Sequence, residues 1–123
     1  APDMAEANLK LALAYAANKR HQEACQYYKK AIKLIPNYQE AHYFLSLSFF
    51  LTSRYKEALT SIKESIRLNP NNSEAHYTLG QIYMKLGSFN KAITPLQTAM
   101  RIQSELPQIK SKSSNFRNNQ KIK

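Results

Sequence analysis

A single cysteine, two glycines and no tryptophan stand among the 123 residues of this chain, and each shortage excludes something. Cys25 alone cannot close an intrachain disulfide, and no Cys/His set has the spacing of a zinc site, so the fold must hold without staples and no metal or other cofactor is expected. Two glycines supply neither a phosphate-cradling loop nor the left-handed turns of a hairpin-rich barrel, which sets nucleotide-binding and all-β folds far behind. Long apolar runs are missing too: the greasiest stretch, Tyr43 to Leu51, is broken by Ser46 and Ser48. It is far short of the ~18 residues that cross a bilayer, so no transmembrane segment is expected. The opening Ala1-Pro2-Asp3-Met4 has neither a basic nor an apolar signal region, which predicts a cytoplasmic chain, while a non-Met start is compatible with a trimmed leader. Acid is scarce: 18 Lys and Arg face 8 Asp and Glu, a formal charge of +10. Between Pro107 and Lys123 lie Lys110, Lys112, Arg117, Lys121 and Lys123 with no acidic residue, so the body is mildly basic and the tail strongly so.

What the chain does have is a repeat. Residues 5–38, 39–72 and 73–106 align without a gap, superposing Leu11/Leu45/Leu79, Tyr15/Phe49/Tyr83, Ala24/Ala58/Ala92, Tyr28/Ile62/Leu96 and Leu34/Leu68/Ile102. Pro36 and Pro70 fall in register and punctuate the units. Apolar spacings of three, four and seven predict two helices per unit, at about 5–18 and 21–34, 39–52 and 55–68, and 73–86 and 89–102. The breaks within units fall at Asn18-Lys19-Arg20, Thr52-Ser53-Arg54 and Gly87-Ser88. Glu6, Glu40 and Glu74 sit in first turns, and Lys33, Arg67 and Arg101 in last turns, where each sign suits the helix dipole. Pro95 falls inside the sixth helix and predicts a kink or an early frayed turn.

This pattern resembles the tetratricopeptide repeat. The third unit carries it best, as His76-x-x-Leu79-Gly80-x-x-Tyr83 followed by Ala92-x-x-x-Leu96-x-x-Ala99. The first has Leu11-Ala12, Tyr15, Ala24, Tyr28, Ala31 and Pro36, and the second places Ser46 and Ser65 where the motif prefers Gly and Ala. Asn8, His42 and His76 stand in for the usual Trp, and Ser104 for the last Pro. The resemblance implies an all-α solenoid of three helix-turn-helix units in a right-handed superhelix. Residues 1–106 would form one domain, with 107–123 a basic tail that is a loose capping helix, disordered, or the start of further sequence. Small residues at Ala12, Ser46 and Gly80 are required where the two helices of a unit come within 8–10 Å of each other.

Nothing in this pattern assembles a catalytic group. His42 and His76 occupy equivalent places one repeat apart, about 10 Å in a stacked array, and no carboxylate or thiol converges on them. Cys25 aligns with Leu59 and Ile93 and reads as a small buried hydrophobe. No Ser-His-Asp set or carboxylate pair falls on one helix face, so the chain is not expected to be an enzyme.

Surface remains. In the resembled family the first helices line a concave groove, and the matching residues here are Leu9, Lys10 and Leu13 in unit one, with Glu6, Ala16 and Ala17 beside them. Unit two supplies Glu40, Tyr43, Phe44, Leu47 and Phe50, with Leu51; unit three supplies Tyr77, Thr78, Gln81, Met84 and Lys85, with Glu74. The centre is richer in apolar groups than the hairpin core requires, so the expected partner is another protein, presenting an apolar or aromatic peptide or an amphipathic helix. Relatives that clamp the C-terminal carboxylate of Hsp70 or Hsp90 use Lys, Arg and Asn at places held here by Leu9, Leu13, Phe44, Glu74 and Thr78, so that clamp is not expected. Three other readings stay open: self-assembly into a homo-oligomer, a secretion-type chaperone, and binding of nucleic acid or an anionic surface through the tail. The last is disfavoured because Phe116 is the tail's single aromatic.

Overall fold

In the computed structural model the backbone is described for residues 2–122 and side chains for residues 4–105. Six helices follow one another: α1 (Pro2–Ala17), α2 (His21–Leu34), α3 (Gln39–Leu51), α4 (Tyr55–Leu68), α5 (Ser73–Lys85) and α6 (Phe89–Ile122). They pair as α1/α2, α3/α4 and α5/α6, and the hairpins stack through α2 on α3 and α4 on α5. This is an all-α solenoid of three helical hairpins. Among the described residues no helix is long and apolar enough to cross a membrane.

The turn inside each hairpin uses one backbone device three times. Lys19, Ser53 and Gly87 hold matching places and all take positive φ, at 63°, 62° and 76°. That left-handed residue ends the first helix, a conformation glycine adopts freely and a side chain resists. Arg20 and Arg54 then begin the second helices, pairing with Glu23 and Glu57 at 2.6 Å. Between hairpins, the Asn72 side chain caps α5 by accepting from the Glu74 and Ala75 amides.

Small residues set the spacing inside each hairpin. Ala12, Ser46, Ala24 and Ala58 are fully buried. At Gly80 a methyl group would lie 2.5 Å from the Leu96 side chain, so α5 and α6 touch where only hydrogen fits. Large groups occupy the joints between hairpins. Tyr28 of α2 is buried and stacks on Phe44 of α3 with ring centres 6.2 Å apart. Lys29 lies 5.5 Å over the Phe49 ring, and Lys63 of α4 lies 5.9 Å over the Tyr83 ring of α5.

The sixth helix departs from expectation. It neither frays at Pro95, whose ring is buried, nor stops near residue 102, but runs as one helix to Ile122. Ser104 stands where the earlier units have proline, so no proline ends the helix at that place; an Arg101–Glu105 pair at 3.1 Å supports the turn beyond, and the helix runs on through Pro107, which has no N–H to donate. Capping by Ile109 and Phe116 concerns side chains outside the described residues.

Candidate functional site

The first helices α1, α3 and α5 place the expected groove residues along one wall. Lys10, Glu40, Tyr77, Met84 and Lys85 are exposed, and Leu13, Tyr43, Phe44, Leu47, Phe50 and Gln81 are half-buried. Two residues differ from expectation: Leu9 and Thr78 are each only 4% exposed. The stacking geometry explains both. The place held by Leu9 looks toward the following hairpin and that of Thr78 toward the preceding one, so neighbours cover them. The Thr78 hydroxyl then donates to the Glu74 carbonyl at 2.9 Å.

The middle of the wall is an aromatic band. Tyr43 meets Phe44 edge-on at 5.2 Å, and Phe50 meets Tyr55 edge-on at 5.6 Å. The Tyr43 hydroxyl donates to Glu74 at 3.3 Å across the joint to the third hairpin, and burial with this carboxylate beside it pushes the phenol up. Phe44 therefore does two jobs, one face packing on Tyr28 and the rest remaining accessible. Leu51, at the helix end, is exposed, whereas Phe50 is partly covered by Tyr55.

The residues weighed for chemistry have structural surroundings. Cys25 is buried, and desolvation pushes its thiol up against the opposing pull of Arg54 and Lys29. Nε2–H of His42 donates to the Pro36 carbonyl at 2.9 Å, and Nε2–H of His76 donates to the Pro70 carbonyl at 2.7 Å. The two histidines thus latch the turns between hairpins, a role that the sequence shows only as a matched His and Pro in successive units. Among the described residues no cluster of His, Cys, Asp and Glu could hold a metal. Arg67 hydrogen-bonds Glu64 and holds that half-buried carboxyl below its usual range, while Arg101 pairs with Glu105. Two of the three expected last-turn cations, Arg67 and Arg101, are thus engaged in local helix-surface pairs.

Sequence reasoning missed an apolar cavity of about 480 Å³ at the far end of the array, between the start of α5 and the middle of α6. Tyr77 and Glu74 line one side, Ala99, Met100 and Gln103 the other. The available signal was that residues 107–123 do not keep the repeat register.

Three stacked hairpins, with small residues inside each and aromatic joints between them, define a helical-repeat protein of the tetratricopeptide class. A family model described as "Anaphase-promoting complex, cyclosome, subunit 3" matches residues 17–99, and the chain belongs to that family of tetratricopeptide-like repeats. No curated protein matches by sequence. Among solved structures, "Crystal structure of MamA" superposes with a TM-score of 0.82 at 22% identity, over 88% of this chain and 63% of that one. "MamA AMB-1 P212121" gives 0.78 at 22% identity, over 85% and 57%. "Second TPR of Spaghetti (RPAP3) bound to HSP90 peptide SRMEEVD" gives 0.79 at 17% identity, over 82% and 94%. The chain thus spans under two thirds of the MamA chains it resembles, and at these identities the likeness is one of fold.

Proposed function

We propose that the chain is a non-catalytic docking module whose concave wall receives an apolar or aromatic segment of another protein, extended or helical. The observation that carries this reading is the accessible band of Tyr43, Phe44, Leu47 and Phe50, continued by Tyr77 and Met84, on consecutive first helices. Partly covered aromatic and aliphatic groups on a rigid wall bind by losing their remaining water, with little ordering cost to the receptor. Glu40, Gln81 and Lys85 supply the polar edge that orients the segment, and Lys10 and Leu13 extend the wall toward the amino-terminal end. The repeat family and the peptide-bound RPAP3 domain of similar fold support a protein-interaction role. An anionic peptide terminus is a poor match to this wall, because Leu9 and Thr78 are buried, Phe44 is apolar and Glu74 is itself acidic.

Peptides selected from a displayed library on the wild-type chain test this directly. They are expected to be rich in apolar and aromatic residues. Leu47→Ala and Met84→Ala should weaken them from a few-fold to about a hundredfold at unchanged helicity. Phe44→Ala is a less clean probe, since it also removes the Tyr28 stack. Selected peptides that bind both variants as tightly as wild type would remove the groove from consideration.

A further inference from the structure

We propose that the outer face of the array, across α2 and α4, docks an acidic segment of another protein that carries an apolar side chain. The charge of the chain is divided unevenly between its helices. The three first helices hold Asp3, Glu6, Glu40 and Glu74 against Lys10 and Lys85, a balance of −2. Helices α2 and α4, with the Arg20 and Arg54 that lead into them, set eight cations against Glu23, Glu57 and Glu64, a balance of +5. Each of those three carboxylates is held by an arginine three residues away: Arg20, Arg54 and Arg67. What remains is Lys29, Lys30, Lys33, Lys56 and Lys63, all exposed and, among the described residues, none paired with a carboxylate. Lys29 and Lys63 are held in place over the Phe49 and Tyr83 rings, so part of their ordering cost is met before any partner arrives. Stacking covers the sides of a hairpin that meet its neighbours, so this outer face stays open however many hairpins an array holds.

Between these two helices lies a cavity of about 320 Å³. Ile32 of α2 and Leu45 of α3 give it an apolar lining, Lys29 stands on the α2 side, and Thr60 and Ser61 stand on the α4 side. Glu64 borders it too, but Arg67 already neutralises that carboxylate. An apolar side chain fills this space while acidic residues on either side of it meet Lys29 and Lys33, and Lys63 across α4. The same observations disfavour other polyanions. The arginines of α2 and α4, whose forks would grip phosphates, are committed to glutamates, and the half-buried rings Tyr27 and Tyr55 are engaged by Tyr15 and Phe50, which leaves no platform for a base. A plane of lipid headgroups does not enter a cleft between helices. The chain's own tail, with five cations and no acid from Pro107 to Lys123, is repelled by the face. Charge and shape together therefore select an acidic polypeptide, on a surface separate from the concave wall.

Fluorescence anisotropy of a short labelled polyglutamate peptide with one central leucine, titrated with the full chain at low ionic strength, tests this. The peptide should bind, and added salt should weaken it. Exchanging its leucine for serine should cost about tenfold, the value of an apolar side chain partly removed from water. Lys29→Glu and Lys33→Glu should each weaken binding about tenfold at unchanged helicity, whereas Lys19→Glu, the same change of charge at the turn between α1 and α2, should cost less than about twofold. No binding at low salt, equal affinity for the leucine and serine peptides, or equal losses from Lys19→Glu and Lys29→Glu would each overturn the proposal. Duplex DNA or phosphatidylserine vesicles that bind more tightly than the peptide at matched charge, with the same dependence on Lys29 and Lys33, would also overturn it by assigning the face to a phosphate-bearing partner.

Discussion

The second hairpin and the third place apolar residues at the same positions and bury them differently. Ile62 is fully buried while Leu96 is only partly covered; Leu59 and Ile66 are half-buried while Ile93 and Met100 lie in the open. The side chains are of similar kind, so the difference comes from what lies next to them: α5 covers the second hairpin, and among the described residues no equivalent helix packs on the third. In a stacked array burial belongs to the joint more than to the residue, and stability is the sum of hairpins and joints.

The largest test of that comparison is a matched pair of truncations. Ile62→Ala should cost about 3–4 kcal/mol and Leu96→Ala about half as much in denaturant unfolding, since the half-buried site surrenders less apolar contact and leaves no closed cavity. Equal losses would mean that the joint contributes little.

Alkaline titration sharpens the same point at the first joint. Burial between α2 and α3 pushes the Tyr28 phenol from 10.0 up to about 12, with Cys25 adding a smaller push. The folded state keeps a proton that the unfolded chain releases. The stability this group contributes is therefore intact below about pH 10 and falls as pH rises toward 12, by up to about 3 kcal/mol. Tyr28→Phe should flatten that decline while leaving neutral-pH stability nearly unchanged, as read by thermal melts across the alkaline range.

The smallest effect concerns the turns, where all three hairpins are alike in backbone and differ in residue. Lys19→Gly and Ser53→Gly should each stabilise the chain by about 0.5–1 kcal/mol, because their positive φ is strained for a side chain. Gly87→Ala should lose about as much, and chemical denaturation of the three variants checks the set.

These particulars also show how far the sequence could be read. The repeat register located five of six helices to within a few residues, because small residues at Ala12, Ser46 and Gly80 and apolar groups at helical spacing leave few alternatives. For α6 the expected end near residue 102 falls short of Ile122, and the helix continues through Pro95 without fraying, because the register marks where the repeat stops and not where the helix does. The expected groove residues rest on the resemblance to the repeat family, which does not tell which of them look sideways: Leu9 and Thr78 are covered by neighbours that a single-repeat pattern does not represent. The His42–Pro36 and His76–Pro70 latches escaped for a similar reason, being contacts that form only once the turn folds back. The open end and its cavity follow from the stack as a whole.

Amide chemical-shift mapping tests the docking claim most directly. A peptide selected on the wild-type chain is titrated into isotopically labelled protein, and the perturbed amides are located on the fold. The expected result is a continuous track across α1, α3 and α5 centred on Phe44, Leu47 and Gln81. Perturbations gathered on the outer faces of α2, α4 and α6, or confined to the Tyr77 and Met100 end, would contradict it.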